Sequence, residues 1–227
     1  KTQIALIRLA VETLEMGRAQ SPEDRAKFLR RIGRETIRLN QLVENILDFA
    51  RLEAGQRTFR FQDVDLAEVI RETVDSYRLR IEDQGFTLAL DLPPDLPHVR
   101  GDGPALAQCL LNLLDNAVKY SRDRKQIQVG GVVREHLAGI SVADHGIGIA
   151  PRDQRRIFEK FVRLDDGLIH DVKGAGLGLS LVQQILRAHG GRVEVTSVPN
   201  EGSTFTLWIP RAAGTAATVE SEAPTGS

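Results

Sequence analysis

Three side chains in the segment Asn112-Leu113-Leu114-Asp115-Asn116-Ala117-Val118-Lys119-Tyr120-Ser121 are spaced four and three residues apart: Asn112, Asn116 and Lys119. On a helix that spacing puts them on one face. Two amide carbonyls can offer oxygen to a hard cation, and the ammonium can offer positive charge to phosphate. Mg2+ takes oxygen ligands and keeps several waters while it bridges phosphates. The stripe is therefore a candidate surface for Mg2+ and phosphate, although a solvated helix face would explain the same three residues standing alone.

Further along, Asp144-His145-Gly146-Ile147-Gly148-Ile149 follows an apolar run that reads as a strand. An Asp at a strand end can accept a hydrogen bond from an adenine amino group. The glycines let the backbone approach a flat base with no Cβ in the way. The plainer reading is a glycine-rich turn closed by an Asx hydrogen bond. Gly174-Ala175-Gly176-Leu177-Gly178-Leu179 stands where a helical pattern begins, and free N–H groups plus the helix dipole favour anions there. It does not follow a strand and has no Gly-Lys-Ser/Thr, so it is neither the dinucleotide fingerprint nor a P-loop. Gly202-Ser203-Thr204-Phe205 by itself is a turn leading into a strand. Phe158 and Phe161, flanking Glu159-Lys160, by themselves are an apolar pair on a helix.

The chain around these stretches has 227 residues, with 41% hydrophobic and 27% charged, an ordinary globular composition. Its 30 Lys+Arg against 31 Asp+Glu give a net charge of -1, which argues against the basic footprint of a nucleic-acid binder. Cys109 is the single cysteine, so no disulfide can form within the chain, and a reducing compartment fits. Its apolar neighbours make it a small core residue. No apolar run approaches the roughly 20 residues that span a bilayer, and no signal peptide is evident.

The elements that must position these residues fall into two kinds. Ile4, Ile7, Val11 and Leu14 form one helical seam; Phe28, Ile32, Leu39, Leu42, Ile46 and Phe49 form another, interrupted by Glu35. Gly17 and Gly55 are stops, and Ser21-Pro22-Glu23-Asp24 is a helix start. Residues 1–55 thus read as a helical hairpin. Two helices cannot hide two seams by packing only on each other, whereas two hairpins can form a four-helix bundle. The alternative is a hairpin packed on the rest of its own chain. Residues 56–64 read as a linker and first strand, Thr58-Phe59-Arg60-Phe61. From Asp65 to residue 210 the pattern is mixed: helices over 65–84, 103–120 and 177–189, and strands near 86–92, 127–129, 138–142, 192–197 and 204–209. Residues 211–227, without large apolar groups, read as a disordered tail.

In this order and spacing the motifs resemble those of the ATP-binding domain of sensor histidine kinases. Asn112–Ser121 is similar to the N box and Asp144–Gly148 to the first glycine box. Phe158–Phe161 is similar to the F box, Gly174–Gly178 to the second glycine box and Gly202–Phe205 to the last. The resemblance covers about residues 60–210. Gyrase, Hsp90 and mismatch-repair ATPases share the wider superfamily; the hairpin and F box set this chain apart from them. The hairpin resembles the dimerisation and histidine-phosphotransfer domain. Lys1 onward matches that domain's His-Glu-Leu-Lys-Thr-Pro segment, which would place the acceptor histidine and its neighbouring acid before Lys1. Gln3 stands where the family has proline, so the helix is expected to run straighter there. His98, His136, His145, His170 and His189 lie in the ATP-binding half and are ordinary histidines on this reading.

The resemblance implies an α+β fold, a dimeric helical hairpin followed by a two-layer α/β sandwich, with ATP and Mg2+ as cofactors. It implies that Asp144 reads adenine, beside Gly146, Gly148 and Ile149. Asn116 would hold Mg2+, Asn112 would assist at the phosphates, Lys119 would sit on phosphate oxygens, and Tyr120 would help enclose the nucleotide. Residues 150–174 would form a lid, with Phe161 on it and Gly174, Gly176, Leu177 and Gly178 at its far end; Thr204 would line the pocket. The implied reaction is protein-histidine kinase chemistry: γ-phosphate passes to a histidine, then to an aspartate of a response regulator receiver domain. Thr2 matches the Thr of the family's Glu-x-x-Thr phosphatase motif, and equally suits an exposed helix start. The expected location is cytoplasmic, with any membrane anchor upstream of Lys1. Two other readings are an ATP-binding scaffold without phosphotransfer and a serine-directed kinase of the same superfamily, which would lack the hairpin.

Overall fold

The computed structural model describes residues 3–82, 84–121, 124–162 and 176–212. The chain divides into two compact units, residues 1–57 with 173–177, which carries the long helices of the N-terminal half, and residues 58–172 with 178–227, which carries the α/β sheet.

In the helical unit α1 (Gln3–Glu15) and α2 (Pro22–Glu53) form the expected hairpin. Ser21 caps α2 by accepting from Asp24 N–H at 3.0 Å, with Pro22 and two acids in the first turn. These are the residues that satisfy and complement a helix start. Ile7, Val11, Leu14, Phe28, Ile32, Leu39 and Phe49 are half-buried. Glu35, which interrupts the seam in sequence, is buried. Ile4 and Ile46 of the expected seams are exposed, and so are Leu9, Leu29, Ile37, Val43 and Leu47 outside them. Much apolar surface of this unit is therefore uncovered by the chain itself.

The α/β unit is a sheet with helices on one face. Among the described residues the sheet order is β2 (Thr87–Asp91), β4 (Gln126–Arg134), β5 (Leu137–Asp144), β7 (Gly202–Pro210), β6 (Arg192–Val198). Only the β2–β4 pair is parallel. Helices α3 (Leu66–Glu82), α4 (Gly103–Tyr120) and α5 (Gly178–Ala188) cover it, with α4 packed against α3, α5 and β5. Ile70, Leu110, Leu114, Leu181 and Ile185 from the helices meet Ile140, Val142 and Leu207 from the strands, all essentially solvent-free. Asp65 and Asp102 start α3 and α4, accepting from Glu68 N–H and Ala105 N–H at 3.1 and 3.0 Å.

Three local differences from the sequence reading have physical causes. The first strand is not Thr58–Phe61 but β1, Gln62–Val64, which pairs antiparallel with β3, Val99–Gly101, in a small separate sheet. Phe59 and Phe61 instead stack against His189, with ring centroids 5.2 and 4.8 Å from the imidazole. Phe158–Phe161 is not an α-helical pair. A single 3-10 turn, Arg156–Phe158, is followed by Phe161 in a left-handed conformation at φ 60°. Finally, Arg211 and Ala212 are held, donating their N–H groups to His136 O and His98 O at 3.0 Å each; residues 213–227 lie outside the described residues. Among the described residues no helix is long and apolar enough to cross a membrane.

Candidate active site

Helix α4 is the axis of the site. Asn112 donates its amide N–H to Gln108 O at 3.0 Å, the back-bond of an i,i+4 pair. Its Oδ1 then lies against Gly178, where a Cβ on the glycine would sit only 3.0 Å away. The second glycine box thus meets the N box at the first turn of α5. Asn116, one turn on, is half-buried, and its side-chain amide has no hydrogen-bond partner among the described residues. Lys119 Nζ donates to Tyr120 Oη at 3.0 Å and lies 4.7 Å from that ring's centroid.

The other end of α4 meets the first glycine box. Ile147 N–H donates to Tyr120 O at 3.2 Å, and a Cβ on Gly146 would stand 2.5 Å from that same carbonyl. Only glycine allows so close an approach. Gly148 has φ +65° and packs its Cα on Val198 O, and Asn200 N–H donates to Ile147 O at 2.7 Å. The loop is thereby pinned between α4 and the β6–β7 turn.

Asp144 ends β5, buried, its Oδ1 accepting from Gly146 N–H at 2.7 Å. Burial raises its carboxyl above the ordinary aspartate range, against the opposing pull of the Gly146 and Ser203 N–H groups and the nearby His145. Ile149 is fixed by Ser197 Oγ, which accepts its N–H at 2.8 Å, and by the Gln154 amide, which donates to Ile149 O at 3.2 Å and to Ser197 O at 3.0 Å.

The structure therefore brings Asn112, Tyr120, Gly146, Gly178 and their neighbours Asn116, Lys119 and Asp144 to one helix and its flanking loops. Thr204 is placed differently. It pairs with Ala143, whereas Ser203 pairs with Asp144. Residues directly opposite in an antiparallel pair share a face, and successive residues alternate faces. Ser203, which sequence reasoning passed over, is on the Asp144 side, buried, with its Oγ 2.9 Å from Ser197 Oγ. The missed signal was period-two parity with Phe205, Leu207 and Ile209. Phe161 is 68% exposed, while Phe158 packs edge-on against Phe205 with centroids 6.5 Å apart. Gly176 and Leu177 lead directly into α5. Gly174 and Thr2, with residues 163–173 of the expected lid, lie outside the described residues.

The donor set suits Mg2+. Asn112 Oδ1, left over once its N–H is bonded, and the Asn116 amide are neutral hard-oxygen donors on one helix face, with a lysine beside them. Such a site takes the ion together with phosphate oxygens and waters rather than alone. Consistently, no group of three His, Cys, Asp or Glu among the described residues could hold a metal by itself.

Residues 101–213 match the family described as histidine kinase-, DNA gyrase B- and HSP90-like ATPase, and residues 1–55 match the His Kinase A (phospho-acceptor) domain. The helical hairpin and the ATPase sandwich in one chain define a sensor histidine kinase, and the chain belongs to that family. It is 33% identical over 210 residues to the sensor-like histidine kinase SenX3 of Mycobacterium tuberculosis, covering 92% of this chain and 51% of that protein. To the adaptive-response sensory kinase SasA of Rippkaea orientalis it is 33% identical over 216 residues, covering 92% and 55%. The chain thus spans about half the length of these curated relatives. Full-length ShkA in complex with AMPPNP aligns with TM-score 0.70 and 30% identity over 93% of this chain and 46% of that one. The histidine kinase AdeS of Acinetobacter baumannii shares the fold, with TM-score 0.69 and 22% identity over 92% and 95%.

Proposed function

We propose that the α/β unit binds Mg-ATP and passes its γ-phosphate to a histidine of the phosphotransfer hairpin, and from there to an aspartate of a response regulator. The observation that supports this best is the double closure on α4: Gly178 against Asn112 and Gly146-Ile147 against the Tyr120 carbonyl. Two glycine stretches far apart in sequence are held on the helix that carries the two amides and the ammonium.

Asp144, at the end of β5, and Ser203, at the start of β7, recognise adenine. Asn116 would hold Mg2+, with Asn112 assisting at the phosphates; the ion would supply positive charge against the phosphate oxygens. Lys119 turns from the Tyr120 hydroxyl to a phosphate. The N–H groups at the start of α5 take the phosphate end of the nucleotide. Phosphoryl transfer depends mainly on such placement and charge. A neutral imidazole nitrogen attacks the γ-phosphorus in line, the P–O bond to ADP breaks, and ADP leaves with the electron pair. On the match of Lys1 onward to the family's phosphotransfer segment, the acceptor histidine would precede Lys1.

The exposed apolar residues Leu9, Leu29, Ile37, Val43, Ile46 and Leu47 support a homodimer through the hairpin. The test is calorimetry with AMPPNP, with and without Mg2+, on this chain, together with γ-phosphate labelling of a form extended upstream. Saturable, Mg2+-dependent binding and labelling of the extended form are expected. Absence of nucleotide binding overturns the proposal, and binding without labelling reduces the protein to an ATP-dependent scaffold.

A further inference from the structure

The geometry points to Asp102 and His189 as positioning residues that couple the lead-in segment 58–61 to the two helices of the nucleotide site; the inference rests on the reading of α4 and α5 given above.

These helices are tied twice. At the site, Gly178 lies against Asn112 Oδ1. At their far ends, Asp102 N–H donates to His189 Nε2 at 3.0 Å. The two ties are separated by roughly 15 Å along each helix, at 1.5 Å per residue, so the pair runs antiparallel as a rigid frame. His189 is 5% exposed, and its Nδ1 is 2.8 Å from Ile185 O. A carbonyl only accepts, so Nδ1 carries the proton and Nε2 is bare to accept from Asp102.

Asp102 does more than begin α4. Its Oδ1 accepts from Ala105 N–H at 3.0 Å, the ordinary cap, while its Oδ2 accepts from Arg60 N–H at 2.8 Å. The same imidazole that holds its N–H is stacked on by Phe59 and Phe61. A cap needs one oxygen. The second oxygen on Arg60 and the N–H on His189 are extra, and they join the segment that leads in from α2 to both helices. Segment 58–61 cannot shift without disturbing the Asp102 carboxylate, and through it the register of α4 against α5 that sets the Asn112–Gly178 approach.

Coupling of this kind is reciprocal, which makes it measurable on the unaltered chain. Amide hydrogen exchange is followed with and without saturating Mg-AMPPNP. Nucleotide is expected to slow exchange at Arg60 and Asp102 about fivefold or more. D102S keeps a hydroxyl cap for Ala105 but has no second oxygen for Arg60. It is expected to weaken AMPPNP affinity by the same factor and to abolish the nucleotide response at Arg60. H189F keeps an aromatic ring for Phe59 and Phe61 but no acceptor, and is expected to do likewise at Asp102. Nucleotide binding that leaves exchange at Arg60 and Asp102 unchanged in the unaltered chain overturns the coupling without recourse to a variant, as does wild-type affinity in D102S. An unaltered chain that does not bind AMPPNP overturns the reading of the site itself, and the coupling with it.

Discussion

Asp144 and Ser203 stand directly opposite each other on β5 and β7, and Ser203 turns its backbone N–H onto the Asp144 carboxylate. The next pair, Ala143 and Thr204, points to the other face of the sheet. Replacement of Ser203 by valine is therefore expected to lower adenine-nucleotide affinity about tenfold, about 1.4 kcal/mol. The same change at Thr204 should leave affinity within twofold. Calorimetry on both variants decides which residue belongs to the pocket, and the reverse order would refute the assignment by strand parity.

The raised Asp144 carboxyl makes stability and binding respond to pH in opposite directions. The folded chain takes up this proton at higher pH than the unfolded chain. The contribution to stability is therefore full below the unfolded value and falls as pH rises through the folded value. A proton on the carboxyl removes an acceptor for the adenine amino group. Acidification into a window above the ordinary aspartate range should thus weaken AMPPNP binding while the local stability term improves. Affinity unchanged through that window would contradict the role of Asp144.

Gly148 combines φ +65° with contact on Val198 O, where a Cβ would stand 2.0 Å from the oxygen. Gly148→Ala should cost about 1–3 kcal/mol or more, seen as a fall in melting temperature, and should loosen the loop that fixes Ile149.

Asn116→Asp puts a carboxylate among phosphates. A drop in kinase activity of an upstream-extended chain by at least about tenfold, with an altered magnesium optimum, is expected. An unchanged magnesium titration would remove Asn116 from the metal site.

On the hairpin, Val43 and Leu47 lie one turn apart and are 46% and 50% exposed. V43E combined with L47E should shift sedimentation from dimer to monomer with little loss of helix. A monomeric parent chain would dispose of the bundle.

Much of this was legible in the residues. The hairpin and the three sheet-packed helices follow from spacing, caps and glycines, and the family resemblance ties the N-box and three glycine-box stretches to one site. Sequence alone did not show β3, because Val99-Arg100-Gly101 is too short to carry a period. Nor did it show that Phe59 and Phe61 serve a histidine far along the chain rather than a strand. Ser203 was hidden by its neighbour Thr204, since a turn obscures which residue starts the alternation. Asp102 was not singled out in the sequence at all; its second oxygen has meaning only once Arg60 is beside it.

The backbone of Arg211 and Ala212, bonded to the carbonyls of His136 and His98, sets a practical limit for anyone shortening or labelling this protein. A fluorophore or purification handle joined after residue 212 leaves both loops closed. A chain cut at Pro210 strips two carbonyls of their donors and should be the less soluble product.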